Sequence, residues 1–158
     1  MERVYLGVGS NLGDRAAYLK KAQLLLSTIP KTRFLRSSNL FETEPVGGPP
    51  QQGKYLNAVW EIETSLAPGA LKDKLREIEA ELGRKRSVVN APRKIDLDIL
   101  FYGNKIVEEE GLRIPHPRLH ERLFVLEPLV ELAFDFKHPV LKKSVRELLN
   151  EQSEIQSK

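Results

Sequence analysis

Asp96 and Asp98 flank one leucine in an otherwise apolar run, Ile95-Asp96-Leu97-Asp98-Ile99-Leu100-Phe101-Tyr102. Aspartate is depleted in strands, so two together need a reason. If 95–102 is a strand, the carboxylates at i and i+2 face the same way, ~6.6 Å apart along the chain. Ile95, Leu97, Ile99 and Phe101 then fill the opposite, core face. Paired carboxylates repel each other unless a cation sits between them. Mg²⁺ suits the role, since it usually takes one or two carboxylates together with phosphate oxygens. A solvated strand face carrying two surface aspartates is the bland alternative. Just upstream stand Arg84, Arg86 and Arg93. Arginine binds phosphate bidentately and keeps its charge. Carboxylates beside an arginine cluster are the equipment of phosphoryl transfer, which depends on positioning and charge stabilisation. Alone, the basic run would read as a solubilising loop.

Other residues suggest a ligand beside those charges. Tyr55 and Asn57 lie on the polar face of a strand; an aromatic ring beside an amide donor and acceptor suits a flat heterocycle with mixed hydrogen-bonding groups. The segment Gly7-Val8-Gly9-Ser10-Asn11-Leu12-Gly13 joins a strand to a helix, but its third glycine is one position late for a dinucleotide fingerprint. No Walker-A pattern occurs, so these small residues are read as leaving room for a ligand near the sheet. His116, between Pro115 and Pro117, sits in a rigid extended segment and could contact phosphate. His120 and His138 read as structural or exposed, and Phe124 as core or a stacking surface.

Hydrophobic periodicity supplies the elements that must hold these groups. Residues 3–9 alternate as a strand, with Val4, Leu6 and Val8 on one face. Residues 14–29 read as a helix capped by Asp14 and ended by Pro30. Residues 32–43 read as a second strand, and 44–53, with three prolines and three glycines, as a long loop. Residues 55–64 form the clearest strand: Leu56, Ala58, Trp60 and Ile62 on one face, Tyr55, Asn57, Val59, Glu61 and Glu63 on the other. Pro68 opens a helix carrying Leu71, Leu75, Ile78 and Leu82, with Gly83 as its C-cap. After the strand at 95–102 come a short apolar helical run near 123–132 and a helix opened by the capping box Ser144-x-x-Glu147. The order β-α-β-β-α-β plus a C-terminal extension is the ferredoxin-like split-βαβ order, an α+β fold. Two helices would cover one sheet face and leave the other for loops and ligand.

The 158 residues suit a single domain, 1–158. The balance of 25 basic and 22 acidic residues, net +3, means that anion binding must come from local clusters. The chain contains no cysteine, which excludes disulfides, thiolate metal sites and cysteine nucleophiles. No apolar run reaches the ~18 residues of a membrane span, and a cytoplasmic protein is expected.

The motifs combine. Gly9-Ser10-Asn11-Leu12-Gly13-Asp14, Tyr55-Leu56-Asn57-Ala58-Val59, Glu79 before Gly83-Arg84, Pro92-Arg93-Lys94-Ile95-Asp96-Leu97-Asp98-Ile99 and Ile114-Pro115-His116-Pro117-Arg118 occur in this order. Over nearly its whole length the chain resembles the 6-hydroxymethyl-7,8-dihydropterin pyrophosphokinase family. The resemblance implies transfer of pyrophosphate from ATP to the pterin hydroxymethyl group in folate biosynthesis, with ATP as co-substrate and two Mg²⁺ ions on Asp96 and Asp98. It implies catalytic roles for Arg84, Arg86 and Arg93. It places Glu79, Arg86, Arg93, Ile99, His116 and Arg122 at ATP, and Thr43, Val46, Tyr55, Asn57 and Phe124 at the pterin. The loops at 44–53 and 84–92 are expected to close over the substrates. Asn90 and Ala91 stand where many members carry an aromatic residue and glycine; Arg76 and Arg113 occupy positions that are often uncharged, and no role is assigned to them. A monofunctional enzyme is expected, with no nucleic-acid, membrane or obligate protein partner. Two other readings are an RNA-binding module on the open sheet, which lacks an RNP-like aromatic pattern here, and a different metal-dependent phosphotransferase on the same scaffold.

Overall fold

A computed structural model describes residues 1–44, 53–83 and 95–157. The elements run β1 (Glu2–Ser10), α1 (Arg15–Leu26), β2 (Thr32–Ser37), β3 (Phe41–Thr43), β4 (Tyr55–Thr64), α2 (Pro68–Glu81), β5 (Asp96–Tyr102), β6 (Val107–Glu109), β7 (Leu112–Ile114), a 3₁₀ turn at Leu119–Glu121, α3 (Leu123–Ala133) and α4 (Val145–Gln156). The main sheet has the order β2-β4-β1-β5, with β3 continuing beside β4, and its neighbours are antiparallel. This is the ferredoxin-like arrangement expected from the element order. Local chemistry sets the helix starts. The Asp14 carboxylate accepts the Ala17 N–H at 3.1 Å, and Ser144 and Glu147 form the reciprocal capping box. Gly83 closes α2 at φ +90°, where a side chain would be strained.

One face of the sheet meets α1 and α2 through Val4, Leu6, Val8, Trp60, Ile62 and Leu97, packed on Leu19, Leu26, Leu71 and Leu75. The opposite face is not wholly open. Tyr5, Val59, Leu100 and Phe101 carry a second cluster with Leu119, Leu126 and Leu129 around α3, and Val145 and Leu148 of α4. The C-terminal extension therefore covers part of this face on β1, β4 and β5, and among the described residues Gly9, Asn57, Asp96 and Asp98 line a cavity on the same side.

Three expectations need correction. Phe101 does not share the face of Leu97 and Ile99. The β1–β5 register shifts between Tyr5 and Leu6, so Leu100 and Phe101 both turn into the second cluster and Tyr102 rejoins the first; a bulge reverses side-chain alternation. The strand expected over 32–43 is two strands. The Asn39 N–H donates to Glu131 Oε1 of α3 at 2.8 Å, drawing the chain off β4, while Ser38 Oγ accepts the Val59 N–H left behind at 2.9 Å. Helix α1 stops at Leu26; Ser27 and Ile29 follow in a turn, with Ile29 still buried. The β6–β7 hairpin was not anticipated.

A buried carboxylate ties α3 to the sheet. Glu61, 1% exposed, accepts from Arg3 Nη1 at 2.6 Å and Arg36 Nε at 2.7 Å. Arg36 also donates to the Leu132 carbonyl of α3 at 3.0 Å. Burial, reinforced by the Glu61 charge, raises the neighbouring Tyr5 hydroxyl above its ordinary value.

Candidate active site

Three strands carry the floor of the site. Asn57, Gly9 and Asp96 are directly opposed across β4, β1 and β5; Val59, Gly7 and Asp98 form the next row. Opposed residues share a face, so Asn57 and both aspartates look out of the same side, with the two glycines between them. Strands lie ~4.8 Å apart, which sets Asn57 and Asp96 roughly 10 Å from each other. The intervening strip is bare backbone for a steric reason. A Cβ on Gly9 would lie 2.7 Å from Asn57 Oδ1 and 3.4 Å from Tyr55 Cδ1. Small residues at this strand-to-helix junction do leave room near the sheet.

Above the strip lies a cavity of about 560 Å³, whose wall includes Thr43, Tyr55, Asn57, His116, Arg122 and Phe124. Asp96 and Asp98 line it at the β5 side. Thr43 pairs with Tyr55 across β3 and β4, and its Oγ1 accepts from Asn57 Nδ2 at 2.5 Å, fixing the amide. Phe124 lies in the first turn of α3, with the Arg122 guanidinium 5.5 Å from its ring centre, a cation–π contact that orients both groups. Burial lowers the Arg122 pKa, with nearby Arg118 adding to the effect.

His116 lies where the segment after β7 returns to β5; its N–H donates to the Leu100 carbonyl at 3.0 Å. Its Nδ1 accepts from the Arg118 N–H at 3.2 Å. Burial pushes its pKa down to about 4, with Arg122 and Arg118 acting in the same direction against Asp96. The ring is therefore neutral near pH 7, and with Nδ1 accepting, Nε2 carries the proton and can donate.

A second cavity of about 260 Å³ adjoins the first and shares Asp98 and His116 with it. Lys72, Arg76, Ile99 and Arg113 also line it. Glu79 is placed differently: only 2% exposed, it sits behind β5, where Oε2 accepts the Leu97 N–H at 2.8 Å. Val46, Arg84, Arg86 and Arg93, with residues 45–52 and 84–92 of the two loops expected to close, lie outside the described residues. Among the described residues no cluster of three or more Asp, Glu, His or Cys side chains could hold a metal by itself. Two carboxylates fit Mg²⁺ that completes its shell with phosphate oxygens and water, not a metal caged by protein.

Sequence reasoning gave no role to three contributors. Arg118 and Glu121 line the large cavity from the 3₁₀ segment, where no periodicity marks them. Arg76 pairs with Glu79 and lies 3.6 Å from Asp98; the i, i+3 spacing of Arg76 and Glu79 on a helix was the available signal. His138 is structural, its Nδ1 accepting from the Val140 and Leu141 N–H groups at 3.1 and 3.0 Å. No helix among the described residues is long and apolar enough to cross a membrane.

The family model for 7,8-dihydro-6-hydroxymethylpterin-pyrophosphokinase matches residues 5–134. The 2-amino-4-hydroxy-6-hydroxymethyldihydropteridine pyrophosphokinase of Bacillus subtilis is 46% identical over 128 residues, covering 81% of this chain and 76% of that protein. The protein of the same name from Aquifex aeolicus is 37% identical over 153 residues, covering 97% of this chain and 94% of its own length. The bifunctional protein FolKE of Lactococcus lactis subsp. cremoris is 41% identical over 157 residues, and this chain spans only 45% of it. Among solved structures, an HPPK-DHPS in complex with substrates superposes with a TM-score of 0.73 at 16% identity, over 99% of this chain and 44% of that one. At that identity the likeness speaks for the fold.

Proposed function

Because the chain belongs to the 7,8-dihydro-6-hydroxymethylpterin-pyrophosphokinase family, we propose that it transfers pyrophosphate from ATP to the hydroxymethyl group of 6-hydroxymethyl-7,8-dihydropterin, giving AMP and the pterin pyrophosphate in folate biosynthesis. One observation carries the reading at the level of geometry. An amide suited to a heterocycle and a carboxylate pair suited to a metal–phosphate complex face the same cavity, with two glycines between them on β1.

The pterin lies over the strip between Tyr55 and Phe124. The Asn57 amide, held by Thr43, reads its donor–acceptor edge, and Val46 belongs to the same subsite. The hydroxymethyl group then points along the strip toward β5, where the triphosphate lies. Its oxygen attacks the β-phosphorus, the bond from that phosphorus to the bridging oxygen of the α-phosphate breaks, AMP leaves, and the hydroxyl proton passes to solvent. His116 donates from Nε2 to a phosphate oxygen without adding charge, and the Arg122 guanidinium neutralises the chain beside it. Arg84, Arg86 and Arg93 stabilise the charge developing on the transferred group. Ile99 contributes to the nucleotide site from the smaller cavity; Glu79 belongs to the ATP side as well. Asp96 and Asp98 would hold Mg²⁺, two ions on this reading, which supplies neutralisation of the phosphate oxygens. The chain acts as one domain over 1–158, in the cytoplasm, on these small molecules alone.

Incubation with ATP, Mg²⁺ and 6-hydroxymethyl-7,8-dihydropterin, followed by nucleotide separation, tests the proposal. AMP should appear only when the pterin is present. ADP in place of AMP would leave a phosphotransferase and remove the pyrophosphokinase; no turnover by folded protein would point to another acceptor.

A further inference from the structure

Strand β5 lies at the edge of the sheet. One of its margins bonds β1; backbone groups on the other need partners from elsewhere. Leu97, directly opposite Val8, finds them on α2. Its N–H donates to Glu79 Oε2 at 2.8 Å, and its carbonyl accepts from Arg76 Nη2 at 3.0 Å. Arg76 and Glu79, three residues apart on α2, are themselves joined through Arg76 Nη1 and Glu79 Oε1. An acceptor and a donor on two side chains thus take the place of a neighbouring strand at a single residue. That residue is the one between Asp96 and Asp98. The same guanidinium lies 3.6 Å from Asp98 Oδ1.

We propose that Arg76, acting through Glu79 and the Leu97 backbone, is a positioning residue that holds the Asp96-Leu97-Asp98 segment in the register the carboxylates need. The proposal rests on the functional reading above for what those carboxylates do, but the brace itself is a property of the ligand-free protein. Removing the Arg76 fork takes one donor from the buried Glu79 carboxylate and the donor from the Leu97 carbonyl together, and both losses loosen the Leu97 backbone. Displacement of a reacting group by even an ångström is expensive in rate. The geometry needs a fork: one nitrogen on Glu79 and another on the Leu97 carbonyl, which an ammonium at the end of a lysine cannot reproduce.

The test combines amide hydrogen exchange on the substrate-free protein with steady-state kinetics, for Arg76→Met and Arg76→Lys. Both variants should raise exchange at Leu97 about ten-fold, the loss of roughly one hydrogen bond, while amides of α1 and β4 keep the parent rates and show that the fold is intact. Both should lower kcat and leave KM for the pterin unchanged. Wild-type exchange and kcat in Arg76→Lys would mean that only the charge matters and would overturn the brace, as would unaltered Leu97 exchange in Arg76→Met. If the parent protein released no AMP, the proposed reaction would fall, whereas exchange at Leu97 would still decide the brace.

Discussion

Replacing Gly9 by alanine should damage pterin binding far more than it damages the fold. The added Cβ would stand 2.7 Å from Asn57 Oδ1, well inside van der Waals contact, and 3.4 Å from the Tyr55 ring. Gly9 lies on the central strand between β4 and β5, so the backbone cannot retreat without disturbing two ladders. The Asn57 side chain is the part that yields. Turning it away breaks its 2.5 Å bond with Thr43 Oγ1, costing about 1 kcal/mol net. An off-rotamer strain of about 0.5–1.5 kcal/mol is added. Part is offset, because alanine restricts the unfolded chain by about 0.4–1 kcal/mol more than glycine. The net loss of stability is about 1 kcal/mol, or a fall in Tm of about 2–4 °C for a chain of this size. The ligand loses more: an amide that no longer presents its donor and acceptor forfeits two hydrogen bonds, about 1–3 kcal/mol together. That is a pterin Kd raised about 5–150-fold. Calorimetric titration with the pterin and with a non-hydrolysable ATP analogue separates the two subsites, and the analogue should bind within about twofold of its parent affinity. An unchanged pterin Kd together with the lowered Tm would show that the heterocycle does not lie on this strip, and the reasoning from the Asn57–Gly9–Asp96 row would fail.

Other perturbations probe separate parts. Asp96→Asn and Asp98→Asn should each cut AMP formation by about 10²–10³-fold with little change in urea midpoint, since both side chains are half-buried and the amide keeps their shape; near-normal turnover in Mg²⁺ would remove the carboxylates from the mechanism. Arg3→Met/Arg36→Met leaves Glu61 buried without its cations and should cost about 3–5 kcal/mol, somewhat less where solvent enters the gap. Glu61→Gln, which keeps the shape and one acceptor, should cost less, and a reversed order in urea unfolding would refute the account of this triad. His116 has a folded pKa of about 4 against an ordinary 6.5, so below pH 6.5 the unfolded chain takes up a proton that the native ring refuses. Its contribution to stability is fully present above pH 6.5 and is lost as pH falls toward 4. His116→Gln should therefore flatten the decline in unfolding free energy between pH 7 and 4.5, and an identical slope in the variant would contradict the assigned burial.

Much of this site could be read from local pattern, because period-two alternation decides which side chains share a face. Asp96 and Asp98 on one face, Tyr55 and Asn57 on another strand's polar face, and glycines near a strand end were all visible that way. What the pattern could not carry was anything set by a contact distant in sequence. Phe101 reads as a continuation of Ile95-Leu97-Ile99, and only the bulge opposite Tyr5 and Leu6 turns it over. The run 32–43 has no proline or glycine to break it; Glu131 of α3, 92 residues away from Asn39, does so. The C-terminal helices were recognised as helices, yet nothing in their own sequence says that they pack on Tyr5, Val59 and Phe101 of the sheet and that α3 walls the cavity. Arg76 reads as a surface charge on an amphipathic helix until α2 is seen against the edge of β5.

The most direct test of the central claim follows the phosphorus itself. The protein is given ATP labelled with ³²P at the β position, Mg²⁺ and the hydroxymethyl dihydropterin, and the products are separated. Attack on the β-phosphorus predicts that the label travels with the pterin, as a pyrophosphate ester, and that the nucleotide left behind is unlabelled AMP. Label retained on ADP would place the attack on the γ-phosphorus and contradict the account.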